Sequence, residues 1–271
     1  MATRVPRLAL LVCDIPLPEV IRDHGEYPRI FDRVFRASLP DRFADFALDP
    51  YDVRYAKEYP QMGDLDAYDG IVITGSAASA YENVEWINKL VSWVADVAVN
   101  RPRTKIIGIC FGHQIVARAL GGECVPNGGK WEVAITEVTF TDLGQRIFGV
   151  PSFNIQQMHR DYVPTVPPSF HLLGSTGLTR NQGMVQFSDP DARIPEPDGP
   201  IPEIHILTLQ GHPEFTTGIV KEIIRARRES GAMDKATAEH GWARADERND
   251  GDRIGRVIWD VLLQRSATVD A

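Results

Sequence analysis

The sequence predicts an α/β fold: a mainly parallel sheet with helices on both faces and some antiparallel strands in the second half. Three observations carry that prediction. Short apolar runs without alternation, such as LALLVC at 8–13 and KIIGIC at 105–110, are patterned as strands buried on both faces. Between them lie segments with apolar residues at helical spacing. From about residue 123 the pattern changes to strand-like runs separated by turn residues, with little helix between them.

Taken in order, LALLVC reads as a strand that Asp14 and two prolines close. Residues 28–39, PRIFDRVFRASL, are patterned as a helix, and 51–60, YDVRYAKEYP, as a second strand. YDGIVITGS at 68–76 is a buried strand closed by Gly75. Residues 82–99 repeat apolar side chains at Val84, Ile87, Val91, Val94 and Ala98, an amphipathic helix in which Trp86 and Trp93 read as packing. KIIGIC is followed by a helix over HQIVARALGG that Gly121 and Gly122 stop. Further strands are expected in EVAITEVTFT, FNIQQMHRD, FHLLGST, GMVQFSD and EIHILTLQG. Residues 189–203 carry five prolines among acidic residues and read as a mobile surface loop. After GHPEF come an amphipathic helix, TTGIVKEIIRARRES, and a segment at 234–253 rich in both charge signs that reads as a solvated helix or tail. A last helix over 253–264 packs on the body. The expectation is one domain over 1–271 with a charged helical C-terminal extension from about 226.

The chain of 271 residues is 43% hydrophobic and 24% charged, with a formal net charge of −8. An acidic chain of this kind has no electrostatic footprint for nucleic acid or for an anionic membrane face. Its three cysteines, Cys13, Cys110 and Cys124, form no CxxC pair, so neither a disulfide framework nor a cysteine-rich zinc site is indicated and a reducing, cytoplasmic setting fits. No apolar run is long enough for a membrane span.

Only one of the cysteines stands on a corner. Gly108-Ile109-Cys110-Phe111-Gly112 joins a strand to a helix, the pattern of a nucleophile elbow. A tight turn there lifts the side chain above the sheet edge, and the helix N-terminus favours a thiolate. The amide of Phe111 points the same way. Cys13 and Cys124 read as small buried hydrophobes. A nucleophile needs a base from another strand end. Of seven histidines, His113 lies beside Cys110 on the next helix and faces away, and His205 falls inside a strand. His212 follows a buried strand at a Gly-Pro turn, with Glu214 two residues on to hold the imidazole. Zinc is not expected, because H-x-E lacks a following P-C-x-x-C and H-E-x-x-H is absent.

GICFGHQ at 108–114, followed by GHPE at 211–214, resembles the class I, triad-type glutamine amidotransferases, over roughly residues 8–225. The resemblance implies a flavodoxin-like fold and a triad of Cys110, His212 and Glu214. It implies an oxyanion hole from the amides of Gly75 and Phe111, where Thr74-Gly75-Ser76 replaces the family's usual pair of glycines. Substrate contacts follow from Gln114 and from MHRDYV at 158–163, with His159, Arg160 and Asp161 over the amino-acid end. No metal or organic cofactor is required. GEYP, ITGS, MHRD and QGHPEF together look most like the free-standing branch that includes γ-glutamyl peptidases, with glutamine, glutathione or a glutathione conjugate as substrate. Two alternatives stand beside it: a glutaminase subunit feeding ammonia to a separate synthetase, and a non-catalytic regulatory protein on the same scaffold. The leaving-group pocket is expected from loops 76–83 and 189–203.

Overall fold

In a computed structural model, residues 4–189 and 191–264 are described. The ends of the expected domain and Pro190 of the Pro-rich loop lie outside them. A nine-stranded sheet runs through the molecule in the order β2-β1-β3-β4-β11-β10-β9-β6-β7. Its first half is parallel: β2 (Ala47–Asp52), β1 (Arg7–Val12), β3 (Gly70–Ile73), β4 (Lys105–Ile109) and β11 (Ile204–Leu209). From β11 onward every pairing is antiparallel, through β10 (Gly183–Phe187), β9 (His171–Ser175), β6 (Glu132–Phe140) and β7 (Ser152–His159). A separate pair joins β5 (Val125–Pro126) to β8 (Asp161–Tyr162). The flavodoxin-like, mostly parallel architecture with antiparallel strands in the second half is therefore present as expected.

Side chains of successive strand residues point to opposite faces, and the core divides accordingly. Leu8, Leu10, Val72, Ile107 and Leu207 pack on one face, beneath α1 (Pro18–His24), α2 (Tyr27–Ala37), α6 (Thr217–Glu229) and α8 (Gly251–Leu262). Ala9, Leu11, Ile71, Ile73 and Ile106 pack on the other, beneath α3 (Glu85–Asn100) and α4 (Phe111–Ala119). α5 (Asp142–Phe148) and α7 (Lys235–Arg244) serve the antiparallel half.

Two expectations are corrected. The second strand is Ala47–Asp52 rather than 51–60. It lies at the sheet edge, where half-exposed residues lack a burial pattern and Pro50, having no N–H, is tolerated; residues 53–56 form the turn after it. Of the solvated helix or tail expected at 234–253, the helix is present, α7 being exposed over most of its residues, but the segment is not a free tail. α7 lies on β6, with Gly241 against Val133 and the Arg244 guanidinium donating to the Val133 carbonyl at 2.6 Å. α8 is fixed by Trp259, fully buried, edge-on to Phe35 and Phe46, its indole N–H donating to the Phe35 carbonyl at 2.9 Å. No helix among the described residues is long and apolar enough to cross a membrane.

Candidate active site

Parallel strands in an open α/β sheet deliver their loops to one end, the C-terminal ends. Here those of β1, β3, β4 and β11 end at Asp14, Gly75, Cys110 and His212, and all four positions meet at one cavity.

The turn at Cys110 is enforced by packing. Cys110 has φ 52° and ψ −99°, a left-handed conformation costly for a residue with a Cβ. Its N–H is anchored to the Leu209 carbonyl at 2.8 Å, tying β4's end to β11. The flanking glycines are obligatory by distance: a Cβ on Gly108 would stand 2.7 Å from the Gly112 carbonyl oxygen, and one on Gly112 would stand 2.4 Å from that of Ile73. α4 therefore starts directly beneath the thiol. Trp86 stacks on Phe111, centroids 5.4 Å apart, and braces the residue whose amide opens the helix. Trp93 packs on Tyr59, so both tryptophans pack as expected.

His212 is held by its backbone. Its N–H donates to the Gln156 carbonyl at 2.8 Å, a bridge from the end of β11 to β7. Its Nδ1 lies 2.8 Å from Glu214 Oε1, and its ring stacks on Phe215 with centroids 3.9 Å apart. Glu214 is buried, and its second oxygen finds no partner among the described residues. Gly75 stands against the same ring: a Cβ there would be 2.9 Å from His212 Cε1 and 3.8 Å from Cys110 Cβ. Burial is the strongest influence on His212 and by itself favours the neutral ring. Cys110 and Glu214, through charge and hydrogen bonds to both, outweigh it, and His212 is pushed up to about 10.

The other two cysteines are buried away from the cavity, Cys13 pushed up to about 12 by burial and Cys124 pushed up likewise. His113 turns its Nδ1 to Thr208 Oγ1 at 2.7 Å, beneath α4, and burial takes it down to about 3, with the charge on His159 acting the same way. His205 is buried within β11.

Gln114, Arg160 and Asp161 border the cavity beside Ser79. Asp161 accepts the Ser79 hydroxyl at 2.7 Å, and its carbonyl accepts the Gln114 amide at 3.0 Å. Arg160 lies over the Trp131 ring, 5.6 Å from its centroid. His159 reaches the cavity wall but both of its nitrogens face protein: Nδ1 is 3.1 Å from the Asp161 carbonyl oxygen and Nε2 is 2.9 Å from Glu132 Oε2.

Several residues of the site were not singled out in the sequence. Asp14, 8% exposed, accepts the Arg54 guanidinium at 2.6 Å, the Ser76 hydroxyl at 3.0 Å and the Ala77 amide at 2.7 Å. It thereby fastens the loop that carries Gly75. Gln210 Nε2 lies 3.6 Å from Cys110 Sγ. Glu132 gathers His159, the Gln182 amide at 2.6 Å and the Thr176 hydroxyl. For Asp14 a signal existed, since it ends a parallel strand; Glu132 and Gln210 lie on or beside ordinary strand patterns and carried none.

The expected pocket loops divide. Ser76, Ala77, Ala78 and Ser79 line the cavity. The Pro-rich loop does not: it enters β11 at its N-terminal end, opposite the cavity, where Glu203 pairs with Lys105 at the start of β4, and Arg146 donates to the carbonyls of Pro195, Glu196 and Gly199.

The family model for class I glutamine amidotransferases matches residues 31–192. That span contains Cys110 and His159–Asp161 and ends before His212. A glutamine amidotransferase-like protein of Schizosaccharomyces pombe is 34% identical over 260 residues, covering 95% of this chain and 98% of its own. Gamma-glutamyl peptidase 3 of Arabidopsis thaliana is 28% identical over 214 residues, covering 76% and 77%. The fold is that of a glutamine amidotransferase from Thermotoga maritima, with a TM-score of 0.68 at 17% identity, covering 96% of this chain and 99% of that one. The chain belongs to the class I glutamine amidotransferase family.

Proposed function

We propose that the protein is a cysteine-dependent hydrolase of γ-glutamyl amide bonds, acting as a free-standing γ-glutamyl peptidase. The observation that carries this reading is the meeting of Cys110 and His212 at one cavity, with Glu214 bonded behind His212 and Gly75 packed so closely that a Cβ on it would stand 2.9 Å from His212 Cε1 and 3.8 Å from Cys110 Cβ.

In this reading the Cys110 thiolate, paired with protonated His212, attacks the γ-carbonyl carbon. A C–S bond forms and the carbonyl electrons move to oxygen, where the amides of Gly75 and Phe111 receive them. His212 gives its proton to the departing amine as the C–N bond breaks. Water then loses a proton to His212, adds to the thioester carbon, and releases glutamate as the C–S bond breaks and the thiolate returns. Glu214 holds the imidazole in one tautomer and stabilises its charge. Every proton has a donor and acceptor within the chain or the solvent, so the steps close without a metal or organic cofactor. Gln114, Arg160 and Asp161 take the amino-acid end; His159, its nitrogens engaged with protein, positions Asp161 rather than touching substrate.

Similarity to γ-glutamyl peptidases supports a γ-glutamyl peptide as substrate. The test is glutamate release by the purified protein from glutamine, glutathione and a glutathione S-conjugate, with Cys110→Ala as control. Release from the peptides that Cys110→Ala abolishes is the expected result. Release mainly from glutamine assigns a glutaminase and a separate synthetase partner, and release that survives Cys110→Ala overturns the mechanism.

A further inference from the structure

The cavity that Cys110 and His212 line continues onto α1, α2 and α6, and that part of its wall has a distinct chemistry. Beyond His212 its lining is apolar: Leu17 and Val20 of the α1 region, Tyr27 and Ile30 of α2, and Phe215, Ile219 and Ile223. Ile219, Ile223 and Arg227 are spaced by four, so they form one stripe along α6. The stripe begins four residues after Phe215, which stacks on the His212 ring, and eight residues of helix carry it about 12 Å outward.

Charge separates the two parts. A γ-glutamyl head carries one ammonium and one carboxylate, and Asp161 and Arg160 at the cavity answer them. The remaining acid, Asp14, is spent on Arg54 and the Gly75 loop. Arg227 is a second guanidinium on the same cavity. On its helix Lys221 and Arg225 are paired with Asp246 and Glu222, whereas no carboxylate among the described residues pairs with Arg227. A cation next to an apolar wall, at the far end from the scissile bond, suits an anion at the tail of an apolar group.

Resting on the proposed γ-glutamyl hydrolysis, we infer that the α6 stripe is the leaving-group subsite: Ile223, backed by the buried Ile219, takes an apolar side chain next to the amide, and Arg227 reads a terminal carboxylate. A helix side chain leans toward the N-terminus, so the Arg227 guanidinium reaches back along those 12 Å. An extended residue spans about 3.5 Å, so an amine half of roughly dipeptide length joins the two, and ammonia from glutamine leaves the stripe unused.

The experiment compares kcat/KM for glutamine, γ-glutamyl-leucyl-glycine, its C-terminal amide, and γ-glutamyl-seryl-glycine. The wild-type protein is expected to prefer the free acid over the amide by about tenfold or more. Arg227→Gln is expected to erase that ratio through KM. Ile223→Asp is expected to erase the leucyl-over-seryl preference, also about tenfold. Arg225→Gln, on the outer face of the helix, is the surface control. Equal handling of acid and amide by the wild-type protein overturns the subsite, as does an Arg227→Gln loss that is as large for glutamine as for the peptide acid. Calorimetric binding of the same peptides to Cys110→Ala separates the two readings. No hydrolysis by the wild-type protein, with Arg227-dependent binding of the free acid to Cys110→Ala, keeps the subsite and overturns the hydrolase. Hydrolysis without discrimination keeps the hydrolase and overturns the subsite. Neither hydrolysis nor binding overturns both.

Discussion

The two halves of the sheet each bury a histidine against a glutamate, and the proposed mechanism uses only one of the two pairs. In the parallel half, His212 and Glu214 lie 2.8 Å apart in the turn after β11. In the antiparallel half, His159 and Glu132 lie 2.9 Å apart across β6 and β7. What differs is the second nitrogen. On His212 the influence beside Glu214 is Cys110, acting through charge and a hydrogen bond, and Gly75 stands beside the ring. The second nitrogen of His159 faces the Asp161 carbonyl. Glu214 fixes the His212 ring and favours its charged form; in the proposed mechanism the group on a ring's far side decides whether the ring serves as a base or as a strut. Histidines without a bonded carboxylate show the contribution of the first part. His113 is taken down to about 3 and His205 to about 4, burial being the main cause in both.

The comparison breaks most sharply at Cys110. Cys110→Ala is expected to remove hydrolysis by a factor on the order of 10⁶, since members of such a unit fail together, while urea unfolding shows a folded protein. Relief of the left-handed strain at φ 52° does not follow from this change, because alanine keeps the Cβ.

Glu214→Gln comes next and is read from its pH profile. Loss of the carboxylate charge removes one of the influences that raise His212. The alkaline limb of kcat/KM, which marks deprotonation of His212 at about 10 in the wild-type protein, is expected to move to lower pH. kcat falls by less than in Cys110→Ala. An unmoved limb removes Glu214 from its role as orienting partner. Glu132→Gln gives the contrast: the strut weakens, Asp161 shifts, and KM for every γ-glutamyl compound rises by several-fold with the alkaline limb unchanged. Should Glu132→Gln move that limb instead, the two pairs are coupled and the distinction between base and strut fails.

How much of this was legible in the sequence follows from how local each constraint is. The elbow at Cys110 and the H-P-E turn at His212 are encoded within five residues each, because steric demands on Gly108 and Gly112 and the two-residue reach from His212 to Glu214 are near-neighbour effects. The buried strands β1, β3 and β4 are legible for the same reason, each being apolar on both faces. β2 was displaced because an edge strand carrying Pro50 has no such signature. Glu132 escaped notice because its partners, His159, Thr176 and Gln182, lie 27 to 50 residues away and meet it only through antiparallel pairing. The Pro-rich loop was misplaced because nothing within it records which end of β11 it feeds. Composition sets whether a segment is a loop; topology sets which site it can reach.

The smallest expected effect tests the histidines that lack a bonded carboxylate. His205, held low at about 4, stays neutral in the folded chain while an unfolded chain binds a proton near pH 6.5. Between those values the unfolded state therefore carries the extra proton, and stability falls as pH drops from about 6.5 toward 4, by at most about 1.4 kcal/mol per pH unit for this one group. At higher pH both states are neutral there and the effect vanishes. His205→Gln removes the titration but keeps a polar side chain of similar reach at a buried strand position. Urea denaturation at pH 4.5, 5.5 and 7 is expected to give a shallower acid slope for the variant than for the wild-type protein, with the difference confined to the two lower values. A parallel loss at all three pH values would mean that the side chain contributes packing alone, and that neutral burial of His205 costs the fold nothing in acid.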